Sequence, residues 1–328
     1  MGRNDYLEIR GDFSDLVTAL RTRETNELSR FIDPEIKVYL STAKDYADGS
    51  QHTLFGIINF IRDLPKTDFF HTRICNFVCR IAKDEAHQAA HVVCQTGLYG
   101  NELKYFCFNM MFSNHWENVE GVWKMTEMRM DIVPEEGNYE AYQDIWHFED
   151  KRAVWHSGIH FPCISGEYDS PWKRIPQAED VLTDEEKCYE AMARYAFGID
   201  HLVFDEVIQA TAEEVISDIE PWGSMDQRNW VVFLKYHRQK DRHWGHCVFP
   251  KSIQIEGDHA EMELYRMMGH RQRVHPYVYT NENADIEHAC AFYKVQLKKT
   301  GSDWKITRCN YYLGLVEIGP YSQESMIA

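Results

Sequence analysis

Two copies of one short pattern constrain this chain more than any other feature. Trp123-Lys124-Met125-Thr126 in the first half returns as Trp304-Lys305-Ile306-Thr307 in the second. Each tetrad follows a polar turn, Glu117-Asn118-Val119-Glu120-Gly121 or Thr300-Gly301-Ser302-Asp303. A strand-like run precedes each turn, residues 106–112 and 291–297. Strand, polar turn and a second strand opening on Trp-Lys is a β-hairpin signature. Earlier in each half, Gly49-Ser50 and Gly223-Ser224 open apolar helical runs (Leu54, Ile57, Ile58, Phe60, Ile61; Trp230, Val231, Phe233, Leu234). Charged turns follow at Lys83-Asp84-Glu85 and Glu256-Gly257-Asp258. The chain reads as a duplicated α+β unit, helices first and then an antiparallel sheet.

The second copy has a defined start. Thr183-Asp184-Glu185-Glu186 fits a capping box, with Thr183 as N-cap and Glu186 at N3. The expected divisions are 1–132, an intervening segment 133–180, and 181–328. The intervening segment carries Trp146, Phe148, Trp155, Phe161 and Trp172, with Tyr139, Tyr142 and Trp146 at helical spacing. A solvated linker has no use for such residues, so this one is expected to pack on the units.

Charge narrows the partners. Against 35 Lys and Arg stand 52 Asp and Glu, a net charge of −17 over 328 residues. That field repels a phosphate backbone and argues against nucleic acid. No run approaches the ~20 apolar residues of a membrane span, and MGRNDYLEIRGDF lacks the apolar core of a secretory signal. Nine cysteines without a C-x-x-C pair fit reduced, buried thiols in a cytoplasmic protein.

The second half resembles SnoaL-like domains of the nuclear transport factor 2-like superfamily. Within that group it is similar to bile-acid 7α-dehydratases and scytalone dehydratase-type domains. Four stretches between Glu186 and Val316 carry the likeness. They are Arg194-Tyr195-Ala196-Phe197-Gly198-Ile199-Asp200 (Tyr-x-x-x-x-Asp), His243-Trp244-Gly245-His246 (His-x-Gly-His), Ala291-Phe292-Tyr293, and the turn into Trp304. The resemblance implies two tandem cone-shaped domains, each a curved sheet wrapped by helices around a pocket. It also implies a lyase or isomerase that needs no cofactor. Where the bile-acid enzymes place an arginine after the Trp strand, this chain has Tyr312-Leu313-Gly314, with Arg308 nearby.

The chemistry of the trio is simple. Tyr195 and Asp200 are five positions apart on one helix, about 140° around its axis, so they share a pocket only if the helix end lies across its mouth. An Asp200 carboxylate bonded to a ring nitrogen of His243 would set the tautomer and raise the imidazole's basicity. Tyr195 would then donate to a developing oxyanion. Tyr195, Asp200 and His243 are the candidate catalytic residues. His246, Trp230, Trp244, Phe292, Tyr293 and Arg308 are candidates for substrate binding, in a pocket suited to a small hydrophobic, polycyclic or phenolic molecule. The same fold holding a ligand without turnover is the alternative, and two cones filled by side chains is a third reading.

The first copy lacks Tyr-x-x-x-x-Asp in its opening helix, and His71 stands without the trio's other members. It reads as an emptied copy that supplies an internal partner, a pseudo-dimer in one chain, with further homo-oligomers open. No metal is expected: H-E-x-x-H is absent, His237, His243 and His246 fall in a polar run crowded with cations, and Gly158 and Pro162 interrupt the His156, His160 pair. Neither a G-x-G-x-x-G nor a Walker A loop occurs, so no nucleotide cofactor is expected.

Overall fold

The computed structural model describes residues 2–40, 53–138, 140, 163–240 (backbone alone at 239 and 240), 245–267 and 278–321. The chain divides into two compact units, residues 1–74 with 78–181 and residues 75–77 with 182–326, besides the last residues.

The first unit opens with α1 (Arg3–Thr22) and β1 (Ile32–Leu40), followed by α2 (Leu54–Asp63) and four long strands. These are β2 (Phe69–Ala82), β3 (Glu85–Leu98), β4 (Lys104–Val119) and β5 (Val122–Gly137), in the order β1-β5-β4-β3-β2. Two one-turn helices, α3 (Gly166–Asp169) and α4 (Pro171–Arg174), close it. They pack on the sheet through the main-chain oxygen of Asp169, which accepts the Ser113 hydroxyl at 2.8 Å and meets His87 Nε2 at 3.0 Å. The aromatic set at 139, 142 and 146 and the His156, His160 pair lie outside the described residues.

The second unit repeats this order as α5 (Asp184–Asp200), α6 (Phe204–Ala210), β6 (Thr211–Ile219), β7 (Gly223–Asp226), α7 (Gln227–Lys240), β8 (Val248–Glu256), β9 (His259–Arg266), β10 (Ile286–Thr300) and β11 (Asp303–Pro320). Its sheet runs β7-β6-β11-β10-β9-β8. Gly223-Ser224, expected to open a helix, instead forms the short edge strand β7, and α7 starts three residues later.

Both sheets are mixed rather than wholly antiparallel. β1 lies parallel to β5, and β6 parallel to β11. Tight turns betray only antiparallel neighbours, whereas a parallel pair is made by distant segments and leaves no turn signal.

The likeness between the two units extends to single residues. β1 and β6 share the same alternation of buried and exposed positions over nine residues. The β4–β5 ladder has a bulge between His115↔Glu127 and Trp116↔Met125, and β10–β11 has its counterpart between Gln296↔Arg308 and Leu297↔Ile306. Each repeated tryptophan ties its strand to its opening helix. Trp123 Nε1 donates to Asp5 at 2.9 Å, and Trp304 Nε1 donates to Asp184 at 3.0 Å. The tryptophan recurs because its indole both fills the core and donates to an aspartate in the first turn of the opening helix.

Candidate active site in the second unit

α5 starts at the expected capping box: Thr183 accepts from the Glu186 amide at 3.2 Å, and Glu186 accepts from the Thr183 amide at 2.9 Å. Cys188, Met192, Tyr195 and Ile199 then fall at helical spacing on its buried face. The helix ends at Asp200 because Leu202 takes a left-handed φ of 59°. α6 turns back so closely that a Cβ on Gly198 would lie 2.9 Å from the Val207 backbone nitrogen. This places Asp200, 8% exposed, at the inner end of the helix.

His246 holds the Asp200 carboxylate at both oxygens. His246 Nδ1 lies 2.6 Å from Asp200 Oδ1, and the His246 amide donates to Oδ2 at 2.6 Å. A carboxylate only accepts, so Nδ1 carries the proton and Nε2 keeps its lone pair. His246 is buried, and desolvation, reinforced by Arg266 and Arg238, outweighs Asp200 and lowers its pKa from 6.5 to about 4. At neutral pH the dyad is therefore a neutral imidazole oriented by a carboxylate. Arg238, on α7, donates to the main-chain oxygen of Asp200 at 3.2 Å.

His246 lines a cavity of about 50 Å³ with Tyr195, Trp230, Arg266, Tyr293 and Tyr311 among its walls. That volume holds about three or four waters. The Tyr195 ring centre is 4.9 Å from that of Trp230 and 6.5 Å from that of His246, the latter edge-on. Burial raises the pKa of Tyr195 and of Tyr293, so both phenols stay protonated donors. Arg266 Nη1 donates to the Tyr311 hydroxyl at 2.9 Å.

Of the residues singled out from the sequence, Tyr195, Trp230, His246 and Tyr293 line this cavity, and Asp200 supports it from behind His246. His243 and Trp244 lie outside the described residues. Phe292 and Arg308 do not line the cavity. Neighbours on a strand face opposite sides, so Tyr293 turning inward sends Phe292 outward, stacked on Tyr312 at 5.1 Å. Arg308 is exposed on an outer groove with Glu261 and Lys294, while Cys309 and Tyr311 point in. His246, a substrate-binding candidate from the sequence, precedes β8 and contacts Asp200 directly.

Arg266, Arg238 and Tyr311 went unnoticed in the sequence. For Arg266 a signal exists: Ala260, Met262, Leu264 and Arg266 form the buried, alternate face of β9, and a cation ending an apolar face is conspicuous.

The first unit carries apolar groups where the second has its cavity phenols and Arg266, and an arginine where it has Asp200. Equivalent ladder positions put Phe112 for Tyr293, Met130 for Tyr311 and Val92 for Arg266. Counting along the helices from Asp5 and Asp184 puts Leu16 for Tyr195 and Arg21 for Asp200. Leu16, Val92, Phe112 and Met130 are all buried.

Residues 180–310 match the SnoaL-like domain family. The second unit is a SnoaL-like domain. No curated protein matches the chain. Among solved structures, hexachlorocyclohexane dehydrochlorinase LinA-type3 from Novosphingobium barchaimii LL02 is 15% identical, the match covering 48% of this chain and 94% of that one at a TM-score of 0.34. A putative scytalone dehydratase from Novosphingobium aromaticivorans DSM 12444 is 14% identical over 48% of this chain and 92% of that one, TM-score 0.33. The CaMKII hub of S. rosetta is 14% identical over 39% and 94%, TM-score 0.30. Among the described residues, no helix of the SnoaL-like unit or its companion is long and apolar enough to cross a membrane. No group of three metal-binding side chains occurs among the described residues either.

Proposed function

We propose that the SnoaL-like unit is a lyase or isomerase that works by acid–base chemistry on a small hydrophobic molecule. The observation that carries this reading is the 2.6 Å contact between Asp200 and Nδ1 of a buried, cavity-lining His246. In this scheme Nε2 takes a proton from a carbon next to a carbonyl, and the electron pair moves onto the carbonyl oxygen. Tyr195 donates a hydrogen bond to that oxygen as charge develops. The electron pair then returns, and the imidazolium gives its proton either to a departing hydroxyl, which leaves as water, or to a distant carbon of the same molecule. The first outcome is dehydration and the second moves a double bond; atoms and charge balance in both.

Asp200→Asn tests the scheme. The amide still fills the space but no longer enforces the Nδ1–H tautomer. Turnover, assayed over a panel of small hydroxylated carbonyl compounds, is expected to fall about 100-fold or more. Affinity for the turned-over compound should change less than about 3-fold, since Asp200 sits behind His246 and not on the cavity wall. Unchanged turnover in the variant refutes the dyad. Tight binding with no turnover by the native protein supports a carrier of the same fold instead.

A further inference from the structure

His246 belongs to no strand or helix, yet it meets Asp200 at 2.6 Å. Its main chain must therefore be held by something other than a sheet ladder. The Asp200 carboxylate takes the His246 amide at 2.6 Å, and Asn76 takes the carbonyl, its Nδ2 donating at 2.7 Å. The Oδ1 of the same side chain accepts from the Val248 amide at 3.0 Å. The carbonyl of one residue and the N–H two places on point to the same side of an extended chain, so the planar Asn76 amide closes on both as a neighbouring strand would. The Tyr189 hydroxyl completes the ring. It accepts from the Asn76 main-chain N–H at 2.6 Å and donates to the Val248 carbonyl at 2.7 Å.

Residues 75–77 are part of the second unit, although they stand far ahead of the rest of it in sequence. Asn76 is 4% exposed and takes a left-handed φ of 52°, a conformation that asparagine accepts more readily than most residues with a side chain. Its amide offers one donor end and one acceptor end, matched to a carbonyl and an N–H. An aspartate could not donate, and a leucine could do neither. We infer that Asn76 is a positioning residue for the His246–Asp200 dyad, holding residues 246–248 so that Nδ1 stays on the carboxylate and Nε2 stays towards the cavity. This rests on the proposed function in one respect, that the dyad is the base, and it assigns to that site a residue from the first half of the chain. Asn76 is not on the cavity wall, so it acts through His246 and not on a ligand.

Asn76→Gly in the full chain tests this, because glycine keeps the left-handed backbone and removes only the side-chain amide. Heteronuclear NMR of the imidazole nitrogens at pH 7.5, with His246 assigned by its loss in His246→Asn, reads the tautomer directly. The native protein is expected to show one Nδ1–H form, and Asn76→Gly a mixture of both. The spectra are taken well below the unfolding midpoint, where a contribution to stability alone leaves the tautomer untouched. A native-like His246 spectrum in Asn76→Gly overturns the inference. Should the variant fail to fold, a crystal structure of the native protein decides. The Asn76 amide is expected within about 3 Å of both the His246 carbonyl and the Val248 nitrogen, and an amide turned to other partners overturns the inference. Turnover is a separate readout: with the dyad as base, kcat in Asn76→Gly should fall about 10-fold or more while KM stays within about 3-fold. Mixed tautomers with an unchanged kcat would uphold the positioning role and refute the dyad as the base, so the two readings can fail separately.

Discussion

Acidification should unfold the second unit through one imidazole. His246 is lowered from 6.5 to about 4 because the folded protein removes it from water. Below pH 6.5 the unfolded chain takes up a proton at this residue that the folded chain refuses until about pH 4, so protons favour unfolding across that window. The stabilisation is complete above pH 6.5, is lost progressively as pH falls towards 4, and stays constant below. A depression of that size corresponds to roughly 3 kcal/mol, a large part of an ordinary domain's stability. The measurement is urea unfolding at intervals between pH 7.5 and 4, followed by tryptophan fluorescence, for the native protein and for His246→Asn. The asparagine keeps a donor towards Asp200 but does not titrate. His87 in the first unit, lowered to about 3 by burial, tilts both curves equally and cancels in the difference. The stability gap between native protein and variant should shift by roughly 3 kcal/mol from pH 6.5 to pH 4. Parallel curves would refute the buried neutral imidazole, and with it the tautomer on which the dyad depends.

Three other outcomes follow from the packing. Gly198→Ala places a methyl 2.9 Å from both the backbone nitrogen and Cγ2 of Val207 and 3.0 Å from the Val203 oxygen; it should cost about 1–3 kcal/mol, read as a lowered Tm, because backbone cannot swing aside. Trp123→Phe and Trp304→Phe each remove an indole–carboxylate bond at the same place in their units; each should lower the midpoint of denaturant unfolding of its own unit, and a shift confined to one of the two variants would count against equivalent roles. Phe292→Ala and Arg308→Ala, both outside the cavity, should leave turnover and ligand affinity within about 2-fold in the same turnover assay, whereas Tyr293→Ala should weaken binding.

Much of the architecture was open to a reader of the sequence. Trp123 and Trp304 mark the duplication because each does two jobs that no other residue does at once, filling a core and donating to a helix start. Thr183 and Glu186 mark the opening of α5 because a capping box is local chemistry, complete within four residues. Tyr195 and Trp230 belong to the inner wall by helical spacing, again a local property. The parallel strand pairs were not legible, since β1 and β6 meet partners from the far end of their own units and no turn joins them.

For the site, sequence alone determined that a phenol, a carboxylate and an imidazole stand in the right order to share one hollow. Only tertiary structure decided which imidazole is seen against Asp200, because His246 lies in a loop whose path is set by what it packs on, and strand alternation has no force there. It also decided the faces. A bulge between Gln296 and Leu297 sets the register of β10 and β11, so Tyr293 and Tyr311 face in while Phe292 and Arg308 face out. Arg266 joined the cavity for the same reason: a side chain's direction follows from its own strand, but its neighbours follow from the sheet.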